Sequence, residues 1–255
     1  MRVALFATCL GDQVVPGAVV ASVRLLRWLG VEVAFPEAQT CCGQPAFNAG
    51  YHAAARALAR HHLQVFDGVD HVVTPTGSCA AMLACHYPHL LEDDGRAYAA
   101  ARDLAARIHD LASFVTDVLG VDDVGADLAG ERVTYHDGCH VLRFGGVSEP
   151  PRRLLRGARA ELREALGHDA CCGFGGLFAV KQPEVSSAMA RAKHAGIESS
   201  GASTLTSQDP GCLLQLAGSL RRGAVPVRTV HLAELLWEGV LREHAADAGR
   251  AGALA

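Results

Sequence analysis

The chain has 255 residues, half of them hydrophobic and a fifth charged, with a formal net charge of −4 at pH 7. This balance argues against broad disorder, and the basic residues are scattered, in pairs at most, which argues against a nucleic-acid-binding surface. No apolar run approaches the ~20 residues of a membrane-spanning helix, and the length suits two domains of about 100–150 residues.

The first half of the chain alternates between segments with strand and helix character. Short apolar runs predict strands at residues 2–7, 31–35 and 71–74. Pro16 suits the first turn of a helix, and Gly30 and Gly120 suit helix ends. Apolar spacing and composition predict helices over residues 16–29, 51–66 and 96–119.

The second half of the chain repeats this order, which favours two tandem units. Strand-like segments lie at residues 133–136, around 158–163, and at 203–207 and 227–231. Helices are expected over residues 183–199 and 232–244. Residues 120–131, with glycines among acidic residues, are the expected linker. The predicted boundaries are 1–124 for the first unit, 125–244 for the second and 245–255 for a flexible tail.

Strand–helix alternation predicts an α/β fold with two tandem duplicated units, each built on a parallel sheet. In open sheets of this kind, sites collect beyond the carboxyl ends of the strands. Because a cysteine follows most of the predicted strands, the loops at one edge of each sheet are expected to gather the cysteines of that unit.

Eight of the nine cysteines form two copies of one pattern, in which a single cysteine, an adjacent pair and a further single cysteine follow one another. The first three positions are separated from their counterparts by 130 residues and the fourth by 133. This regularity predicts a duplicated unit with four thiols in each copy. The two sets are Cys9, Cys41, Cys42 and Cys79, and Cys139, Cys171, Cys172 and Cys212.

Four thiols in each unit predict a metal or cluster site. A single zinc ion also accepts four thiolates, so the count alone does not choose the metal. Adjacent cysteines reach different irons of a cluster with less strain than one ion would impose, and Gly43 and Gly173 allow a tight turn after each pair. We therefore expect up to one iron–sulfur cluster per unit, of the [4Fe–4S] type, with all eight cysteines as ligands. The alternatives are a vicinal disulfide or two buried free thiols in each pair.

The cysteine content also bears on the cellular compartment. The N-terminal sequence reads as a first strand and lacks a signal-peptide cleavage pattern. Free thiols in clusters are typical of a reducing environment, whereas a disulfide framework is typical of secreted proteins. We therefore expect a cytoplasmic protein.

The motifs around these cysteines resemble those of proteins that carry a duplicated cysteine-rich CCG domain, and most closely the lactate-utilization branch of that family. The resemblance covers almost the whole chain. It implies an iron–sulfur electron-transfer subunit that serves the oxidation of L-lactate to pyruvate together with a ferredoxin-like iron–sulfur protein and a third subunit. The matching stretches are QTCCGQPAFNAGY from Gln39, VTPTGSCAAM from Val73, YHDGCH from Tyr135, CCGFGGLFAVKQPEVS from Cys171 and DPGCLLQ from Asp209.

Two relatives of the family leave other functions open. Glycolate oxidase iron–sulfur subunits carry the same domain, and heterodisulfide-reductase subunits often end each unit in Cys-x-x-Cys. This chain has Met82 and Gln215 at the last position of that motif, which disfavours a five-cysteine site and a thiol–disulfide reductase. A zinc-stabilised interaction module is the alternative from another functional class. The chain also lacks a flavin or nicotinamide fingerprint, so lactate turnover by this subunit alone is not expected.

Three further residues near the cysteines have open roles. His136 and His140 flank Cys139, and they suit a base for a nucleophilic thiol, hydrogen bonds to cluster sulfurs, or ordinary contacts of the fold. Cys85 has no counterpart in the second half, and we expect a buried structural thiol, with an accessory ligand as the alternative.

Overall fold

The computed structural model describes the backbone of residues 1–253 and the side chains of residues 1–245. The tail predicted at 245–255 therefore lies outside the described residues, apart from the helical backbone that continues through Ala253. Eight strands form two four-stranded sheets in which all paired strands are parallel. The α/β class and the duplicated parallel sheets are thus confirmed.

The two sheets have the same strand order. The first sheet is ordered β2-β1-β3-β4 and the second β6-β5-β7-β8. The strands are β1 Arg2–Leu5, β2 Glu32–Ala34, β3 Val72–Thr74, β4 Ile108–Asp110, β5 Arg132–Tyr135, β6 Glu161–Leu162, β7 Thr204–Ser207 and β8 Arg228–His231.

The helices of the first half lie between and around its strands. They are α1 Cys9–Gln13, α2 Pro16–Trp28, α3 Gln44–Asn48, α4 His52–Val65, α5 Gly77–Ala81, α6 Tyr87–Leu90, α7 Gly95–Arg107 and α8 Leu111–Ser113. Two π-helical segments, Met82–His86 and Phe114–Val118, continue α5 and α8. Proline occupies the first turn of α2 and of α3, where its missing N–H needs no helical partner.

The second half has a matching set of helices after its strands. They are α9 Cys139–Gly145, α10 Glu149–Gly157, α11 Leu177–Lys181, α12 Pro183–Ala192, α13 His194–Ser199, α14 Pro210–Arg222 and α15 Leu232–Ala253. None of the helices in the described part of the chain combines the length and apolar character that crossing a membrane requires.

The long helix predicted over residues 96–119 is wrong. Helix α7 ends at Arg107, and the next three residues form β4, which pairs in parallel with β3. The carboxylate of Asp110 then accepts a hydrogen bond from Ser113 N at 3.1 Å and begins α8. Pairing with β3 satisfies the backbone hydrogen bonds of these residues. The helical spacing of apolar residues therefore does not keep the segment helical.

The helix predicted over residues 183–199 is divided between α12 and α13, with the break at Lys193. The helix predicted over residues 232–244 continues as α15 to Ala253. The other predicted strands and helices are present with shifts of a few residues at their ends, and the predicted linker, residues 120–131, contains neither helix nor strand. The domain boundaries placed in that linker stay a prediction.

The two halves share their largest hydrophobic core. Successive residues of β1 face opposite sides of the sheet. Val3 and Leu5 pack in a cluster that also contains Val133 and Tyr135 of β5, whereas Phe6 packs in a separate cluster within the first half. The duplicated units are therefore fused through one core.

Buried polar contacts bring the carboxyl ends of the two sheets together. The amide of Gln208 donates to Asp110 Oδ1 at 2.9 Å and accepts from Ala112 N at 2.9 Å. His231 Nε2 lies 2.9 Å from the carbonyl oxygen of Pro75. Because cysteines follow the carboxyl ends of these strands, these contacts place the cysteine-bearing loops of both halves at one edge of the molecule.

Candidate metal centre

The four cysteines of the first half converge in space; we call them the first quartet. Cys9 begins α1 after strand β1, the adjacent pair lies in the loop between β2 and α3, and Cys79 lies in α5 after β3. Cys9 Sγ lies 3.6 Å from Cys41 Sγ, and Cys42 Sγ lies 3.3 Å from Cys79 Sγ. The sheet edge thus gathers these cysteines as the sequence predicted, while their role as ligands stays a prediction.

The second quartet, Cys139, Cys171, Cys172 and Cys212, repeats this arrangement. Cys172 Sγ lies 3.2 Å from Cys212 Sγ. The backbone N–H groups of Gly173 and Phe174 donate to Cys171 Sγ and Cys172 Sγ, each at 3.4 Å. Such N–H···S contacts stabilise negative charge on sulfur, which is the form of cysteine that binds metal.

In both quartets the first cysteine of the adjacent pair has a lowered pKa. Hydrogen bonds from Cys42 and Cys9 lower the pKa of Cys41, and those from Cys139 and Cys172 lower the pKa of Cys171. The same shared hydrogen bonds, together with burial, raise the pKa of the donating thiols. The thiolate form is therefore favoured at Cys41 and Cys171, and a bound cation would favour loss of the proton from the thiols whose pKa is raised.

A single cavity of about 640 Å³ connects the two quartets. Its walls include thiols of both halves together with Asp209 and His140. The two quartets consequently face a common space rather than opposite sides of the molecule. The cysteines in its lining are Cys9, Cys42, Cys79, Cys139, Cys171, Cys172 and Cys212.

A buried histidine holds the loop before the first adjacent pair. His62 Nε2 accepts a hydrogen bond from Thr40 N at 3.2 Å, and His62 Nδ1 lies 2.7 Å from the Tyr87 hydroxyl. That hydroxyl donates to the carbonyl oxygen of Cys42 at 2.8 Å. Burial lowers the pKa of His62 to about 4, so the ring is neutral near pH 7. Its hydrogen bonds fit the tautomer in which Nε2 accepts and Nδ1 carries the proton.

In the second half a buried lysine has the corresponding position. Lys193 Nζ donates to the carbonyl oxygen of Ala170 at 2.9 Å and also to that of Gly167, which fixes the loop before Cys171. Burial lowers the pKa of Lys193, although the nearby sulfurs act in the opposite direction. No local pattern in the sequence indicated either anchor, because each depends on a helix folding back over the loop.

Asp209 links the two quartets, and the sequence analysis missed it. Its Oδ1 accepts from Ser78 N at 2.9 Å, and its Oδ2 occupies the space that a Cβ at Gly138 would take. Ser78 and Gly138 directly precede cysteines of different halves, so one side chain contacts both cysteine-bearing loops. Burial raises the pKa of Asp209. Its place just before Pro210, three residues from Cys212, was the available signal.

The residues around Cys139 do not assemble a chain of nucleophile, base and carboxylate. His140 Nδ1 lies 3.9 Å from Cys139 Sγ. Asp137, however, binds Arg152 and His168. The Nδ1 of His136 lies 3.0 Å from the carbonyl oxygen of His168. The nucleophile hypothesis for Cys139 gains no support from this geometry.

The remaining candidates make no hydrogen bond to a quartet sulfur in the described part of the chain. Cys85 is half-buried rather than buried, and its thiol donates to the carbonyl oxygen of Phe144 at 3.4 Å. Its position on the partly exposed side of a π-helical turn explains why the prediction of a buried thiol is wrong. Met82 is fully buried in the first-half core, and the Gln215 amide donates to Ser186 Oγ at 2.8 Å.

The glycines after the adjacent cysteine pairs differ in how tightly they are enclosed. Gly43 and Gly173 both have positive φ, 85° and 86°, in the region that favours glycine. A Cβ on Gly173 would lie 2.5 Å from the Ser186 carbonyl oxygen, whereas a Cβ on Gly43 would lie 3.3 Å from a flexible Leu58 methyl. Gly173→Ala is expected to destabilise the protein by about 1–3 kcal/mol more than Gly43→Ala, because backbone cannot yield as a side chain can.

Gly130 provides the control for backbone strain alone. It has φ of 80°, and a Cβ at this position would have no neighbouring atom within 4 Å, so Gly130→Ala introduces strain without a clash. Denaturant unfolding of the three variants, together with their metal content, measures the difference. Equal losses for Gly173→Ala and Gly130→Ala would show that the contact with Ser186 is unimportant.

Comparison with known proteins places this site in context. The family model described as CCG, cysteine-rich domain, matches residues 3–84 and 133–217. The chain is 45% identical over 237 residues to a protein described as lactate utilization protein A from a Geobacillus species, covering 92% of this chain and 99% of the relative. A relative of the same description from Geobacillus kaustophilus is 46% identical, with 92% of this chain and 98% of the relative covered.

A solved structure is similar in fold. The crystal structure of a hypothetical protein from Helicobacter pylori has a TM-score of 0.66 and 12% sequence identity, and the similarity covers 96% of this chain and 51% of that chain. At this identity the similarity concerns the fold alone, with a match to about half of the longer protein.

Proposed function

The chain belongs to the family of proteins with a cysteine-rich CCG domain, and from this premise we propose that it is an iron–sulfur electron-transfer subunit of a system that oxidises L-lactate to pyruvate. Relatives described as lactate utilization protein A match it over nearly their whole length, which supports a role in lactate utilization. The observation that carries the electron-transfer part of the proposal is the single cavity lined by thiols of both quartets.

The residues of each quartet suit an iron–sulfur cluster. Four thiols are the usual ligand complement of a [4Fe–4S] cluster, and N–H···S contacts such as those from Gly173 and Phe174 are among the features that set its potential. The adjoining cavity provides room for an inorganic core beside the thiols. When bound, such a cluster accepts and releases single electrons.

The residues of the chain have distinct tasks in this function. The quartets hold the redox groups, and the buried Cys42, Cys79, Cys172 and Cys212 keep that side of each site away from water. The anchors His62 and Lys193 fix the loops that carry the adjacent cysteines. Asp209 fixes the two quartets relative to each other through Ser78 and Gly138.

The chemistry of lactate oxidation requires partners. Conversion of lactate to pyruvate releases two electrons and two protons, and two quartets provide places for two one-electron carriers. The sequence contains no fingerprint for a flavin or a nicotinamide, so another subunit has to accept the electrons from lactate first. The proposal therefore includes a ferredoxin-like iron–sulfur protein and a third subunit as partners.

Zinc is the second candidate occupant, because the closest pairs of sulfurs have a spacing that suits it. Zn–S bonds of about 2.3 Å place the sulfurs of a tetrahedral site about 3.8 Å apart. The observed contacts of 3.6 Å, 3.3 Å and 3.2 Å are close to that spacing, and the thiols would have to separate further around a larger core. A chain with zinc in both quartets would be a structural or interaction module rather than an electron carrier.

Metal analysis after anaerobic purification decides between these candidates. The proposal predicts iron and acid-labile sulfide, up to about eight of each per chain for two [4Fe–4S] clusters, and an electron paramagnetic resonance signal after reduction. The isolated chain should not oxidise lactate with an artificial acceptor. Zinc without sulfide would contradict the electron-transfer function and favour a structural one. Lactate turnover by the chain alone would contradict the need for partners.

A further inference from the structure

The second quartet has a fifth donor atom that is not a sulfur. His136 follows strand β5, and only 1% of its surface is exposed. The ligand atoms of His136, Cys172 and Cys212 all lie within 4.8 Å of one another, as in a metal site. Among the described residues, His136 Nε2 has no hydrogen-bond partner. A buried polar atom without a partner costs about 1–3 kcal/mol, so this nitrogen requires an explanation.

The other ring nitrogen fixes the chemical form of His136. Nδ1 lies 3.0 Å from the carbonyl oxygen of His168, which can only accept a hydrogen bond. Nδ1 therefore carries the proton, and in the neutral ring Nε2 is left with a lone pair and no partner among the described residues. A nitrogen with a lone pair cannot donate to a thiolate, but it can bind a metal ion. Histidine ligands in metal sites commonly have this second hydrogen bond to a carbonyl oxygen.

A buried network holds the carbonyl oxygen that orients this ring. Asp137 N donates to the same His168 oxygen at 3.2 Å, and His168 Nδ1 lies 2.7 Å from Asp137 Oδ2. Arg152 binds both carboxylate oxygens of Asp137 at 2.9 Å. Lys193 fixes the neighbouring carbonyl groups of the loop. The direction of the His136 ring is thus determined before any metal binds.

Among the residues that the structure describes, no histidine has the equivalent position in the first quartet. At the offset of 130 that relates the cysteines, the counterpart of His136 is Phe6. Phe6 is fully buried and packs against His62 and Phe66 with ring centroids 5.1 Å and 5.7 Å apart. Equivalent positions of the two units thus have a nitrogen donor, His136, in the second and a hydrocarbon ring, Phe6, in the first.

We propose that His136 Nε2 is a ligand of the metal centre in the second half, beside Cys172 and Cys212. The proposal rests on the proposed function for the identity of the metal, but the donor set itself follows from the geometry. A [4Fe–4S] cluster takes four protein ligands, so His136 would replace one of the other two thiols, Cys139 or Cys171. A neutral imidazole in place of a thiolate makes the net charge of a site less negative, and histidine ligation raises the reduction potential of iron–sulfur centres. With clusters bound in both quartets, the second would have the higher reduction potential.

Isotope labelling tests this ligand without changing any residue. The chain is prepared with ¹⁴N-histidine and with ¹⁵N-histidine, loaded with iron and sulfide, reduced, and measured by pulsed electron paramagnetic resonance. A histidine ligand gives a strong nitrogen coupling that changes with the isotope, and this is the expected result. If the clusters form and the spectrum shows no isotope-dependent coupling, His136 is not a ligand and the proposed function still stands.

Two substitutions assign the coupling to one residue. His136→Phe introduces the first-half residue and should abolish the coupling, whereas His140→Phe changes the competing imidazole near Cys139 and should leave it unchanged. Loss of the coupling in His140→Phe alone would overturn the assignment. Far-ultraviolet circular dichroism checks that both variants fold.

Cobalt binding keeps the test valid if the chain holds no cluster. Metal-free protein is titrated with Co²⁺, whose absorption reports sulfur and nitrogen ligands. His136→Phe should weaken Co²⁺ binding in the second half at least about tenfold, while His140→Phe should not. Absence of iron with this loss of Co²⁺ affinity would contradict the proposed function and support the ligand. Equal Co²⁺ affinities for all three proteins would overturn the ligand itself.

Discussion

Cys172→Ala is expected to remove the metal of the second half and leave that of the first half in place. Cys172 is 2% exposed and its sulfur contacts Cys212 Sγ at 3.2 Å and the N–H of Phe174 at 3.4 Å. Alanine leaves the second quartet with three thiols and no atom at its most enclosed position. Iron and sulfide should fall to about half of their level in the unchanged chain, because the proposed function assigns one cluster to each quartet.

Cys42→Ala provides the mirror variant in the first half. Cys42 is also 2% exposed and contacts Cys79 Sγ at 3.3 Å. Half of the metal should again be lost, but here it is the metal of the first half, and the signal that remains should be that of the second centre. Cys85→Ala is the matched control, because this thiol bonds to Phe144 outside both quartets and should retain all metal.

Because both quartets line one cavity, the two variants also test whether the chain holds one metal centre or two. If Cys42→Ala and Cys172→Ala each lost all metal, a single centre spanning the cavity would be indicated instead of two. Because metal binding and folding are linked, each variant should also melt at a lower temperature than the loaded parent chain. Metal content, the resonance spectrum and the melting temperature of the three variants together measure these effects.

Local sequence signals were sufficient for the cysteine positions. Each quartet depends on cysteines that follow the carboxyl ends of parallel strands, and parallel strands present those ends at one edge. Strand-like runs before Cys9, Cys79, Cys139 and Cys212 therefore predicted the convergence that the structure has. The prediction needed no knowledge of which strands pair.

Features that depend on contacts between distant segments were not predictable in this way. Asp209 contacts Ser78 across 131 residues of sequence, and Lys193 reaches the loop of Gly167 only because α12 folds back over it. The misassigned helix over residues 96–119 has the same origin, since β4 exists through its pairing with β3. The missing information was which distant segments of the chain pack against one another.

Arg152→Met is expected to destabilise the metal-free chain by about 3–5 kcal/mol. Arg152 donates to both oxygens of Asp137 at 2.9 Å and to Glu164 at 2.6 Å and 3.0 Å, and its side chain is only 7% exposed. Burial by itself would raise the pKa of Asp137, but the hydrogen bonds of Arg152 and His168 hold that pKa below its ordinary value. Methionine would leave the fully buried carboxylate without its cation.

Arg153→Met is the matched control at the next position. Arg153 pairs with Asp117 and Asp122 at 2.7 Å each, but its side chain is 32% exposed and its partners are more exposed still. Solvent screening makes such pairs weak, so the loss of stability should be much smaller than for Arg152→Met. Denaturant unfolding under anaerobic conditions with a chelator compares the two without a contribution from metal. Equal losses would mean that burial of the Asp137 pair has no special importance.

A second substitution separates loss of charge pairing from loss of packing. Asp137→Asn added to Arg152→Met removes the buried charge that has lost its partner, so it should recover part of the lost free energy, whereas Asp137→Asn alone should destabilise the chain. No recovery in the double variant would mean that the contact of Arg152 with the Tyr135 ring, whose centroid lies 5.2 Å from the guanidinium carbon, accounts for the effect. Recovery would show that the unpaired charge of Asp137 accounts for the loss; the same carboxylate contacts His168, whose carbonyl oxygen lies 3.0 Å from His136 Nδ1.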